Sequence, residues 1–293
     1  MTTALYPAAL SWFGDFCDGV RSASAGKNVT LVLALDGIDP DTYPDIYMDL
    51  RNLENSNLNV FAFNATGSPA DIRVAMLKIA LDRSSDIIVF ADADDSLYSR
   101  AFDLHTEALQ SADISFSDMD IIDQNGQCDG RTFFQGARIP RRLCNMSPLV
   151  HRNFLGLTNT AIRRQVLANL DITSTPHVTA FDWWMFTSLL IQGAKAQKTT
   201  KSVTRYRHHP HATLGAFPDT ARKSVAKRCS IVAEHATCFP NHPALTQFGQ
   251  AARHMENALN NDEHHHTAIL QACAGPGVWF EDISRLVDEV VSP

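Results

Sequence analysis

Three carboxylates within four residues, Asp92, Asp94 and Asp95, follow the apolar run Ile87-Ile88-Val89-Phe90. Like charges this close repel one another, and a strand end supplies no helix dipole to offset them. A turn in which Asp side chains cap backbone amides uses one of them, at most two. A bound cation or charged ligand uses more. In an extended segment Asp92 and Asp94 point to the same side. Their oxygens then suit a hard divalent cation, Mg²⁺ or Mn²⁺, which keeps positions open for substrate phosphates. Asp95 reads as a turn or cap residue.

The elements that must position these acids alternate strand with helix. Leu10 to Val20 reads as a helix, Val29 to Leu35 as a strand ending in Asp36-Gly37, and Val60 to Phe63 as a short strand. Ser68-Pro69-Ala70-Asp71 carries the marks of a helix start, with Ser as N-cap, Pro at the first position and Asp where a capping box wants an acid. Ala70, Val74, Leu77 and Leu81 follow at helical spacing. A strand then runs into Asp92, a helix covers Ala101 to Gln110, and a strand covers Ile114 to Phe116. This order predicts an α/β fold whose mainly parallel sheet carries helices on both faces and binds ligands at its carboxyl ends. Asp36 and Asp92 both stand at such ends. Beyond the turn Asn125-Gly126-Gln127, the reading is a basic loop from Arg138 to Arg142, a helix over Thr160 to Leu170, and a helix over Phe181 to Gln192 stopped by Gly193. From Asp219 onward the chain reads as helix, with apolar stripes Leu245, Phe248, Ala252, Met255, Leu259 and Phe280, Ile283, Leu286, Val287, Val290. These stripes predict a cover for the core or for a partner subunit, the latter as a homo-oligomer.

At 293 residues, with 45% hydrophobic and 19% charged, the composition is that of an ordinary globular enzyme. A net charge of −7 argues against a general nucleic-acid surface. No apolar run is long enough to cross a bilayer, and no secretory signal opens the chain. The 6 cysteines form no CxxC pair and read as reduced, packed thiols. The expectation is a cytoplasmic protein, or one peripheral at the inner face of a membrane.

The order of motifs resembles the inverting GT-A glycosyltransferases of family 2, which use nucleotide-diphospho-sugars. The residues that carry the resemblance are Val32 to Gly37, Gly67 to Arg73, Ile87 to Asp95, Leu155 to Arg164, Phe181-Asp182-Trp183-Trp184 and Tyr206-Arg207-His208-His209. It covers roughly residues 4 to 215, and implies a donor half over about 1–125, an acceptor half over about 126–215 and a helical C-terminal extension over 216–293. It implies nucleobase contact at Asp36, diphosphate contact at Arg73, and a donor-bound Mn²⁺ or Mg²⁺ at Asp92 and Asp94 with His209 as a further ligand. Asp182 would be the general base. Asn159, Trp183 and Arg141 would lie on the acceptor side. The implied donor is a nucleotide-diphospho-sugar, by analogy a UDP-sugar, and the implied acceptor a saccharide or lipid-linked hydroxyl. Two departures stand out. Only Met1 to Leu5 precedes Tyr6-Pro7, so the first strand reads as short or missing, and Phe181 stands where many relatives carry an acid.

Each residue also has a plainer reading. Asp36 can open an Asp-Gly turn, Arg73 can form a surface salt bridge, Asp182 can be an N-cap, and one of Trp183 and Trp184 can be core. His208, His209 and His211 sit in a polar loop, and His264-His265-His266 reads as a solvated turn. A haloacid-dehalogenase-type phosphohydrolase also ends a strand in Asp-x-Asp, but after its first strand and with a Gly where Asp95 stands. A degenerate nucleotide-sugar binder without turnover is the non-enzymatic alternative. An EF-hand is excluded by Leu97 at the position that needs Gly.

Overall fold

The computed structural model describes residues 1–83, 85–172, 178–209, 220–261, 266–273 and 278–291. Its sheet is laid out around β1 (Thr2–Leu5), four residues long and wholly buried. β1 pairs in parallel with β2 (Val29–Asp36), and β2 with β3 (Leu58–Ala65). On its other side a parallel bridge from Thr2 to Phe90 joins β1 to the end of β4 (Ile87–Val89). Of the two expectations for the first strand, short or missing, the structure has the short one, set inside the sheet. Four residues are too few to show a periodicity, and Thr2 and Thr3 are polar letters in buried places. Their hydroxyls have no hydrogen-bond partner among the described residues.

Past β4 the sheet continues through β10 (Thr160–Arg163), β6 (Ile114–Phe116), β11 (Ala196–Lys198) and β9 (Arg142–Leu143). β10 is antiparallel to both β4 and β6, so those two run the same way, and β11 runs with β6. The helix expected over Thr160 to Leu170 is thus a strand followed by a single turn, α5 (Arg164–Leu167). Tertiary context decided this: Thr160, Ala161 and Ile162 are fully buried between two strands, where β-branched side chains pack well. A smaller sheet holds β5 (Ser96–Leu97), β12 (Thr204–Arg207), β7 (Met119–Ile122) and β8 (Cys128–Thr132) in that order.

Helices cover both faces because the buried strands alternate. Along β2, Leu31, Leu33 and Leu35 pack with α1 (Phe13–Ala23), α2 (Pro44–Leu53) and α4 (Ala101–Leu109), while Val32 and Ala34 pack toward α3 (Pro69–Leu81). At the start of α3 the Ser68 hydroxyl accepts from Asp71 N (3.2 Å) and the Asp71 carboxylate accepts from Ser68 N (2.9 Å), closing the expected capping box. Gly67 has φ +121°, and a Cβ there would lie 3.0 Å from Asp71 Cβ, so the turn into α3 requires glycine.

α6 (Phe181–Ile191) lies in the core, and α7 (Arg222–Thr237), α8 (Pro243–Asn261), α9 (His266–Cys273) and α10 (Glu281–Val291) complete the chain. The α8 stripe is buried throughout, as are Phe280, Ile283, Leu286 and Val287, in the same apolar cluster as Ile88, Phe154 and Trp183. These two stripes are used inside the chain. The expected boundary near 215, His211, His264 and His265, and the side chains of His266 and Val290 lie outside the described residues.

Candidate active site

The stretch after β4 is a turn rather than an extended segment: Asp95 N donates to Asp92 O at 3.2 Å. The turn sends its three carboxylates to three places. Asp92 Oδ1 accepts from Arg73 Nη2 at 2.7 Å, and Arg73 stands one turn into α3 behind the capping box. Asp94 Oδ2 accepts from both the Tyr6 hydroxyl (2.8 Å) and His209 Nε2 (3.0 Å). Asp95 is buried and accepts from the Thr158 hydroxyl and from Arg207 N (2.8 Å), tying the turn to β12. Asp95 is therefore the structural member of the three.

Their protonation follows these environments. Burial raises the Asp94 carboxyl, but hydrogen bonds from His209 and Tyr6 outweigh it, and Asp94 sits below the usual carboxylate range. Burial raises Asp92 and the Asp94 charge adds to it, against the Arg73 guanidinium. Asp95 is pushed well above its ordinary value by burial and by both neighbouring acids.

Arg207 braces the turn from below. Its side chain is 1% exposed, and its guanidinium donates to Asp94 O (2.8 Å), Asp15 Oδ2 (2.7 Å) and the carbonyls of Asp123 and Gln124 (each 3.2 Å). Trp12 lies against the His209 ring with centroids 4.4 Å apart, and its Nε1 donates to Gln124 O at 2.9 Å. Gly19 lets α1 lie directly on β5, since a Cβ there would come within 2.7 Å of Leu97 N.

Asp182 lies within electrostatic reach of Asp92 and Arg73. α6 begins at Phe181 with Ala180 as N-cap, so Asp182 lies inside the first turn and is not the cap. Its Oδ1 accepts from Trp183 N (2.8 Å) and its Oδ2 from Asn153 Nδ2 (3.1 Å). Burial pushes its pKa up to about 6, with Asp92 adding to the rise and Arg73 opposing it. A carboxylate poised there can take a proton near neutral pH. Asn153 is itself held by the tail, because its N donates to Trp279 O at 2.8 Å. Trp279 packs on Phe133 (4.6 Å between centroids) and over Gly156, where a Cβ would lie 2.6 Å from the indole.

The remaining expected residues scatter. Asp36 stands at the carboxyl end of β2, half-buried. Asn159 is fully buried and spends its amide on Ser117 O (2.8 Å), Phe154 O (3.2 Å) and Gly156 N (2.9 Å), so it shapes the 153–159 loop from within. Trp183 is also fully buried, with its ring stacked on His235 (4.0 Å) and Phe280 (4.8 Å) and its Nε1 on Leu149 O. As an acceptor contact Trp183 is corrected, since no face of its ring is left for a sugar. Arg141 is exposed at the far edge of the sheet, against α4 and β11. Sequence reasoning gave no role to Tyr6, Asn153 or Arg207. Tyr6 had a signal: it follows the first strand as Asp36 follows the second and Asp92 the fourth.

Among the described residues, no group of three His, Cys, Asp or Glu side chains is placed to hold a metal. Asp92 is turned to Arg73, and Asp94 and His209 are turned to each other. Mg²⁺-type sites are commonly held by one or two carboxylates and completed by substrate phosphates and water. To hold a cation that arrives with a diphosphate, Asp94 and His209 would first have to part from each other.

The fold is that of the GT-A glycosyltransferases. No protein-family model and no curated protein sequence matches the chain. Solved structures do. One is TarS 1–349 of S. aureus in complex with UDP-GlcNAc, at 15% identity and TM-score 0.57, covering 99% of this chain and 82% of that one. A second is the mannosyltransferase PcManGT from Pyrobaculum calidifontis in complex with GDP-Man and Mn²⁺, at 14% identity and TM-score 0.55, covering 99% and 79%. GalNAc-T7 with UDP, GalNAc and Mn²⁺ matches at 11% identity and TM-score 0.52, covering 99% and 56%. No helix among the described residues is long and apolar enough to cross a membrane.

Proposed function

We propose that the chain is a glycosyltransferase that moves a sugar from a nucleotide-diphospho-sugar, a UDP-sugar foremost, to a hydroxyl of a saccharide or lipid-linked acceptor with inversion. The place of this reaction is the synthesis of surface polysaccharide or glycoconjugate. The observation that carries the reading is the contrast between Asp94, which accepts from Tyr6 and His209 and lies below the usual carboxylate range, and Asp182, which accepts from Asn153 and Trp183 N and is raised by burial to about 6. Two acids shifted in opposite directions suit two tasks, holding charge and moving a proton.

A divalent cation on Asp94 and His209 would neutralise the diphosphate as it leaves. Arg73, near Asp92, adds fixed positive charge on the same side. Asp36 at the end of β2 is the nucleobase contact. Asp182 accepts the proton of the acceptor hydroxyl on a lone pair that its two donors leave free, while Asn153 and Trp183 N hold its carboxylate plane. A single displacement from the Asp182 side inverts the anomeric centre. β1 to β3 precede the acidic turn, which agrees with this order of elements and not with a phosphohydrolase whose acids follow its first strand.

The test is a thermal-shift screen of nucleotides and nucleotide-sugars with and without Mn²⁺. A ligand of the folded state raises the melting temperature by a term logarithmic in concentration over Kd. Stabilisation by at least one nucleoside diphosphate or its sugar, dependent on Mn²⁺, is expected. No stabilisation by any of them would overturn the reading.

A further inference from the structure

Two paired segments at the far edge of the main sheet invert the charge of the chain. Residues 138–142 and 195–201 hold six cations, Arg138, Arg141, Arg142, Lys195, Lys198 and Lys201, and no carboxylate, in a chain of net charge −7. Parts of them are β9 and β11, hydrogen-bonded in antiparallel register with Gln197 opposite Arg142. Between these strands and α4 lies a cavity of about 450 Å³ lined by Arg141, Arg142, Lys198, Thr199 and Thr200, with Glu107 the one acid on its wall.

A basic edge strand can serve only to keep sheets from pairing edge to edge. That role needs neither a cavity nor ordered side chains. Here Arg142 Nε donates to Gln197 Oε1 at 2.7 Å, which pins the guanidinium to β11 and leaves its terminal nitrogens without an acceptor among the described residues. The Arg141 side chain has none there either. Lys198 spends part of its charge on Asp118 at 3.8 Å and lies over the Phe134 ring at 4.7 Å, so its stem is held in place. Guanidinium forks with free terminal nitrogens beside a concavity are donors that bind phosphate.

Position says what that phosphate belongs to. β4, β6 and β11 run the same way, so Lys198 and the acidic turn stand at the same edge of the sheet. They are separated by three strand spacings, about 14 Å. We propose that this cavity is an anion subsite for a phosphate of a polymeric acceptor, engaged while another part of the same polymer lies at Asp182. The polymer assignment rests on the glycosyltransferase reading; phosphate binding at the cavity does not.

The experiment is calorimetric titration of the full chain with short inorganic polyphosphate in the presence of chelator, which removes metal-dependent phosphate binding at the donor site. Binding is expected, weakening as salt rises and unaltered by Arg73→Ala. The double variant Arg141→Ala, Arg142→Ala should lose about tenfold or more in affinity, with its melting temperature and Mn²⁺-dependent nucleotide-sugar binding kept. No binding by the wild type, or binding lost in Arg73→Ala and kept in the double variant, would overturn the subsite. A carboxylate polymer of equal charge bound as tightly would overturn its assignment to phosphate. If polyphosphate binds at the cavity while no nucleotide-sugar binds anywhere, the subsite stands and the transferase reading falls.

Discussion

Asp94 and Asp182 are both buried or half-buried aspartates of the candidate site, and their surroundings drive their pKa values apart. Asp94 collects two donors on a single oxygen, from Tyr6 and His209, and lies below the usual carboxylate range. Asp182 receives a backbone amide and one side-chain amide, which do not offset its burial, and rises to about 6. Burial alone would have raised both. The difference lies in who donates to each, and three of those donors, Tyr6, His209 and Asn153, sit on loops or strand ends far away in sequence.

The largest expected effect breaks the Asp94 side. Asp94→Ala should abolish measurable Mn²⁺-dependent binding of a nucleoside diphosphate in calorimetry, and chelator should do the same to the wild type. Equal affinity with and without metal would remove the cation from the account. A smaller effect is expected on the Asp182 side. Asn153→Ala removes one hydrogen bond to a charged group, about 1.5 kcal/mol or more, and should lower kcat by about tenfold with the KM for donor unchanged. A rise in donor KM with kcat kept would place Asn153 on the donor side instead.

The two acids should also give stability opposite slopes with pH. The folded pKa of Asp94 lies below its unfolded value, so its contribution is present near neutral pH and is lost as pH falls through the folded value. The folded pKa of Asp182 lies above its unfolded value, so folding favours its neutral form, and stability falls as pH rises from about 4 to about 6. Melting curves of Asp182→Asn should therefore exceed the wild type at pH 7 and approach it near pH 4. The same wild-type difference at both pH values would mean the carboxyl is not shifted. The smallest effect is expected at the capping box: Ser68→Ala should cost about 1 kcal/mol of stability while leaving the Arg73–Asp92 pair, and so donor binding, within error of wild type.

The parts of the molecule legible in sequence are those fixed locally. The α3 start, β2 with its terminal Asp36 and the α8 stripe all lie where residue order puts them, because caps, runs and periodicities act over a few residues. The parts that were not legible are set by distant contacts. Thr160 to Arg163 is a strand because two other strands enclose it, and β1 is a strand because β2 and Phe90 flank it. Trp183 looked like a ligand platform in sequence and is core because α7 and Phe280 cover both sides of its ring. In the site, the acids were legible and their donors were not. Opposed shifts are a property of donors, so sequence located the two acids without saying how they differ.

The most direct test of the account is nucleoside diphosphate release from a bound nucleotide-sugar, with Mn²⁺ and acceptor, by wild type and by Asp182→Asn. A general base acts on the reacting proton, so the variant should bind the donor as the wild type does and turn it over roughly two to four powers of ten more slowly. Equal rates of release from the two proteins would contradict the assignment of Asp182 and, with it, the division of labour between the two acids.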